Sequence, residues 1–398
     1  MPLSLQLSDH VRHLPAPWGS QASLLPSASR SNDALRALLE QHEFAPAYRL
    51  QCQQIAELEQ QAASSSHQDL AQAHAVAGSL AELCTEWEAA HAHFLQAWKL
   101  SGHTNPLWGF LGALRAVQVG HVAEAASLFQ QLLPVLADDA FRAEVLNNLG
   151  CVQQALGELD VAEDLMRQAC QLRATLATEH PDIFQEDYAS SLANLGAILQ
   201  QAEKPEATQT LEEALAATRK LQTASTGQHQ EILAARLTAL GQSYQFAENE
   251  EQACAHWTEA LQLYSLCADG NATLFAAERA ELLASLAMEH LNCGNLAEVI
   301  DCATEAIALL DPLLDAGDVQ ALDLMVQALW SRSVALDAKD NKQAALDDAR
   351  RCHQLANDPR FPALEPSLRD AVEGQLNGLQ HALTEPQQAQ EQKEPGQS

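Results

Sequence analysis

The sequence predicts an all-α fold, a right-handed superhelical solenoid of about seven helix-turn-helix repeats closed by a C-terminal capping helix, on three observations. The first is a period. Small residues recur at Gly150, Gly196, Gly241, Ala287 and Ser333, in steps of 46, 45, 46 and 46. Two further series keep the same phase: Ala162, Ala207, Ala253, Val299, Ala345, and Ala169, Ala214, Ala260, Ala306, Cys352. Periods of 20 to 50 residues mark chains built by stacking one supersecondary unit. The second observation lies inside the period, where Ala162, Leu165, Met166, Ala169 and Leu172 form the stripe of a helix with one buried face. The third is composition: Ala, Leu, Gln and Glu dominate, aromatic content is 5%, and no stretch alternates with the period of a strand.

Residues 1–32, with Pro15, Pro17, Gly19 and Pro26, lack helical periodicity and are expected to be disordered or loosely docked, with Leu14, Trp18, Leu24 and Leu25 able to dock. Residues 33–69 form N-terminal helices, the first N-capped by Asn32 or Asp33. Two shorter repeats occupy 70–143, where Gly78 and Ala113 carry the small landmark in steps of 35 and 37. Five long repeats fill 144–360. Their turns follow from Gly157 and Gly294, which with Gly120 sit seven residues after the small landmark, where a chain leaving a helix favours a left-handed residue. The small landmarks mark helix crossings, because helix axes approach closely only where no large side chain intervenes. One step is short, 11 residues from Gly196 to Ala207 against 12 from Gly150 to Ala162, which places a one-residue deletion near 203–206 with Pro205 opening the next helix. Residues 361–384 read as a capping helix that hides the last repeat's open face, and 385–398 as a disordered polar tail.

These residues carry a resemblance. Small residue, turn glycine, alanine, bulky apolar, alanine resembles the tetratricopeptide repeat. The long units are similar to the repeats of kinesin light chains and their bacterial relatives through Leu146, Asn147, Asn148, Leu149, Gly150, then Ala162 and Glu163, then Glu179, His180, Pro181, Asp182, then Leu192, Ala193, Asn194, Leu195, Gly196. The resemblance spans about 70–360. It implies a binding module whose inner helices hold an extended peptide through asparagine amides.

The charge balance narrows the partners. With 22 basic and 53 acidic residues, net −31, the surface repels nucleic-acid phosphate and anionic lipid. A protein or peptide partner, basic for preference, is expected, with no nucleic acid and no membrane insertion. The carboxylates are spread over all units, which also fits a face that is simply solvated. Nine cysteines, odd in number and without a Cys-x-x-Cys pair, read as small apolar residues in a reducing compartment. No secretory signal and no apolar run of about 20 residues is legible, so a cytoplasmic location is expected.

Motifs for catalysis are absent: no phosphate-binding glycine loop, no Gly-x-Ser-x-Gly elbow, no His-Glu-x-x-His. No enzyme activity and no cofactor are expected. Metal is not expected either. His91 and His93, two apart on a helix, point about 200° apart, and the pair His290 and Cys293 lacks a second half.

Asn148 and Asn194 occupy the same register of adjacent repeats, two residues before the small landmark. An amide both donates and accepts, so it pairs with the backbone of an extended peptide whatever its side chains. Asn147, Gln154, Gln200, Gln201, Gln242 and Gln245 extend the strip, which fades where Ala239, Ser285 and Ser331 replace asparagine. The same amides would equally serve to bond neighbouring helices. The functional expectation is an interaction scaffold or adaptor with a peptide in a concave helical groove. A peptide-responsive regulator or a chaperone for a secreted partner is the alternative, and an enzyme the third class.

Overall fold

The computed structural model describes residues 33–61, 66–221, 228–269, 271, 273–319, 321–358 and 366–391. The N-terminal segment 1–32, Asn32 included, and 392–398 of the expected tail lie outside these residues. Among them are 17 α-helices, one 3₁₀ turn and no strand. They are α1 (Asp33–Glu40), α2 (Phe44–Gln60), α3 (His67–Leu83), α4 (Trp87–Leu100), α5 (Pro106–Gln118), α6 (Val122–Leu132), α7 (Asp139–Ala155), α8 (Leu159–Glu179) and α9 (Pro181–Gln201). Then come α10 (Ala207–Leu221), α11 (Gln228–Phe246), α12 (Glu250–Ala268), α13 (Ala276–Asn292), α14 (Leu296–Asp315), α15 (Ala321–Ala338), α16 (Lys342–Ala356) and α17 (Pro366–Glu391). The last runs on through Pro386, so the helix extends into the first part of the expected tail. The chain divides into two compact units, Met1–Leu221 and Gln222–Ser398, inside the block of long repeats.

In each unit a helix packs chiefly on the next in sequence. The odd-numbered helices α3 to α15 carry the small landmark and the even-numbered ones that follow carry the alanine series. The landmark has a direct steric cause. A Cβ added at Gly78 would stand 2.9 Å from the Phe94 ring, one at Gly196 2.6 Å from Leu211 Cδ2, and one at Gly241 2.4 Å from Trp257 Nε1. The missing side chain is the seat for a bulky residue of the following helix. In unit 2 Ser333 fills the same register, and its hydroxyl donates to the Ala345 carbonyl at 2.8 Å, so a small polar group is accommodated by a hydrogen bond across the seam.

The turns repeat as closely as the seams. Seven residues after each landmark stands a left-handed residue: Thr85, Gly120, Gly157, Glu203, Glu248, Gly294 and Asp340. The next residue's N–H then reaches back to the carbonyl five before it, as in Glu158 to Gln153 at 2.9 Å and Lys204 to Leu199 at 2.8 Å, the closure of a Schellman turn. The pair α1 and α2 has the same form, with His42 at φ 57° and Glu43 N–H bonded to the Leu38 carbonyl, so these helices copy the repeat although their sequence hides it.

The short step resolves as a turn. Residues 202–206 are non-helical, α10 opens at Ala207 rather than at Pro205, and Leu211 seats on Gly196 as Met166 does on Gly150. Lys204 in this turn bonds Glu163 of α8 at 2.5 Å and holds its carboxyl below the usual range. Aromatic and aliphatic side chains fill the spaces between seams: Trp98, Phe110, Phe129 and Phe141 in unit 1, Leu283, Ile307, Met325 and Leu329 in unit 2.

Candidate functional site

In unit 1 the sequence-predicted amides of α7 and α9 are brought together, but not in the expected pairs. Asn148 is fully buried. Its Nδ2 donates one turn back along its own helix, to the Glu144 carbonyl at 2.8 Å and to Glu144 Oε1 at 2.7 Å, while its Oδ1 has no partner. The expectation that Asn148 faces a groove is therefore corrected: position 148 turns inward because Glu144, one turn earlier, is held beneath it. Asn147 is the residue that meets Asn194. Asn147 Oδ1 accepts from Asn194 Nδ2 at 3.2 Å and from Ser191 Oγ at 2.9 Å. Asn147 is itself buried, whereas Asn194 is half-buried and presents an edge to solvent.

The group that organises this cluster is Arg173 of α8, 2% exposed. Its guanidinium pairs with the Glu144 carboxylate and donates to Ser191 Oγ at 2.7 Å and to the Asp187 carbonyl at 3.0 Å. A planar fork with five donors is suited to three partners on two helices at once. One chain of hydrogen bonds thus runs from Asn148 through Glu144, Arg173 and Ser191 to Asn147 and Asn194. Sequence reasoning passed over Arg173 and Glu144. For Arg173 the signal available was a charged residue on a helical stripe that is otherwise apolar, since it falls among Ala169, Cys170 and Ala177.

Further along the same two helices, Gln154 Nε2 donates to Gln201 Oε1 at 2.9 Å, with Gln154 half-buried and Gln201 exposed. Gln200 is half-buried beside it. In unit 2 the predicted glutamines pair with acids of the next odd-numbered helix. Gln242 Nε2 donates to Glu281 Oε1 at 3.2 Å, and Gln245 Nε2 to the buried Glu289 at 2.7 Å. Burial raises the Glu281 carboxyl above its ordinary value, and the neighbouring Glu278 carboxylate adds to the rise. Spacings of 47 residues in unit 1 and of 39 and 44 in unit 2 show the amides bridging one repeat to the next.

The buried cysteines Cys151, Cys170 and Cys352 behave as packing residues. Burial pushes the thiols of Cys151 and Cys170 up to about 12, and that of Cys352 likewise, far from an activated thiolate. No helix among the described residues is long and apolar enough to cross a membrane.

No protein-family model and no curated protein matches this chain. Among solved structures, a Signal Transduction ATPase with Numerous Domains from Pyrococcus horikoshii, which has a tetratricopeptide-repeat sensor, is 17% identical over 84% of this chain and 49% of its own, with a TM-score of 0.55. The C-terminal part of a repeat protein from Cytophaga hutchinsonii is 13% identical over 74% of this chain and 97% of its own, TM-score 0.48. A putative kinesin light chain from Podosopora anserina, with nearly identical repeats, is 18% identical over 55% of this chain and 97% of its own, TM-score 0.42. The first of these likenesses shows a fold: the described residues of this chain have the helical-repeat fold of tetratricopeptide-repeat proteins.

Proposed function

We propose that this chain is a protein-interaction scaffold that holds an extended, basic peptide segment against the amide face of α7 and α9. The observation that carries the reading is the half-buried Asn194, fixed on one edge by Asn147, which Ser191 and, behind it, Arg173 hold in turn, and open on the other. A buried ion pair adds little net stability compared with apolar packing of the same volume. What Arg173 and Glu144 supply is a fixed orientation for the amides above them. Gln154, Gln200 and Gln201 lengthen the polar face by two turns. The net charge of −31 favours a basic segment and disfavours nucleic acid.

The test uses peptides selected from a random library on the full chain. Binders are expected to be rich in Lys and Arg, and to cross-link from a photoreactive residue placed at Asn194 or Gln201 but not from one at Gln171, on the exposed side of α8. Asn194→Ala removes about one net hydrogen bond, about 1 kcal/mol or about fivefold in affinity, with little change in melting temperature. Selected peptides that cross-link only from Gln171, or whose affinity ignores Asn194→Ala, overturn the reading.

A further inference from the structure

We propose that His91, His121 and Glu124 form a binding site for a divalent cation of the Zn²⁺ class, tying α4 to the turn between α5 and α6. The sequence paired His91 with His93 and excluded a shared metal. The structure shows the two rings indeed taking separate partners, His93 meeting Tyr48 and His74, while His91 meets the next repeat. One ligand atom from each of His91, His121 and Glu124 lies within 4.8 Å of the others. Glu124 Oε2 stands 3.4 Å from His91 Nε2 and 3.7 Å from His121 Nδ1.

The tautomer is what distinguishes this cluster from a chance ion pair. His91 is 6% exposed, and its Nδ1 lies 2.9 Å from the Gly112 carbonyl, which only accepts. Nδ1 therefore carries the proton and donates it. In the neutral ring this leaves the Nε2 lone pair directed at Glu124 and His121. A ligating imidazole whose other nitrogen donates to a backbone carbonyl is the arrangement that fixes ring orientation and raises ligand basicity. The dimensions agree as well. Bonds of about 2.0–2.1 Å in a tetrahedron put neighbouring ligand atoms about 3.3 Å apart. Two edges are already near that length. The third closes by a rotation of His121, whose side chain is 46% exposed in a turn. Two imidazoles and one carboxylate select Zn²⁺ over Mg²⁺ or Ca²⁺, which prefer all-oxygen sets. Three protein ligands leave a fourth position open to water or to a side chain of a bound partner.

The reading is tested on the full chain, stripped with a chelator and kept reduced, titrated with Zn²⁺ alone and, for spectra, with Co²⁺. Expected are one equivalent of Zn²⁺ not displaced by excess Mg²⁺, and a tetrahedral Co²⁺ spectrum without a thiolate charge-transfer band. His121→Ala and Glu124→Gln are each expected to weaken binding by about tenfold or more and to abolish that spectrum, at unchanged helix content of the metal-free chain, since both side chains are exposed. Absence of binding, equal binding of Mg²⁺, or Zn²⁺ affinity unaltered by His121→Ala overturns the proposal. The last result would assign the metal to the chain's thiols instead.

Discussion

Thr85 shows how far a single residue is constrained by its place in a repeat. A β-branched side chain at φ 59° is costly, yet the turn demands a left-handed residue here as it does at Gly120 and Gly157. The left-handed conformation costs an L-residue roughly 1–2 kcal/mol, while glycine costs more entropy when ordered, roughly 0.5–1 kcal/mol. Thr85→Gly is therefore expected to stabilise the chain by about 0.5–1 kcal/mol. A urea or thermal melt that moves down on this substitution would show that the Thr85 hydroxyl, 2.6 Å from the Cys84 carbonyl, is worth more than the strain. The same scale explains the behaviour of Asn148. Its register is shared with Asn194, but its direction is decided by Glu144 and not by register.

Between elements, the Glu144–Arg173 ion pair joins α7 to α8, and the same guanidinium reaches α9 by hydrogen bonds to Ser191 and the Asp187 carbonyl. Removing one partner leaves an unpaired buried charge, so Arg173→Met or Glu144→Leu alone is expected to cost about 3–5 kcal/mol. The double substitution relieves the orphaned charge and is expected to cost far less than the sum of the two. Hydrogen exchange across α7, α8 and α9 is the proper readout, because arrays of repeats need not unfold in one step. Additive losses would mean that the two side chains act independently, and that the amides above them are oriented by packing. At the seams, glycine stands where Phe94, Met166, Leu211 or Trp257 needs its seat opposite, while Ser333 keeps the register with a hydrogen bond to the Ala345 carbonyl.

On the scale of the whole molecule, charge dominates. A surplus of acids giving −31 means that folding concentrates like charge, and the ion pairs at Arg115, Arg173 and Arg332 occupy only part of the 22 basic residues. The screening length falls from about 30 Å at 0.01 M salt to about 10 Å at 0.1 M. The melting temperature is accordingly expected to rise over that range of NaCl. A fall would indicate that exposed pairs such as Arg350 with Asp347 outweigh the general repulsion. Net charge also bears on binding, since a basic segment gains from the same field that burdens the fold, and its association should slow as salt is added.

The sequence by itself determined what depends on spacing and volume. Three in-phase series set the repeat, the helix pairs and the crossing points, because a helix shows every residue's neighbours at intervals of three and four, and because close approach requires small residues. It also set the acidic surface. Only the tertiary structure decided what depends on partners far away in the chain. It turned Asn148 inward and paired Asn194 with Asn147, it brought Arg173 to Glu144 across 29 residues, and it placed His91 beside His121 rather than His93. It also showed the turn at Glu203, Glu248 and Asp340, where no glycine announces it. The reason is the same in each case. Periodicity says which face of a helix a residue occupies, whereas the direction and company of a polar side chain are chosen by the donors and acceptors that neighbouring helices leave unpaired.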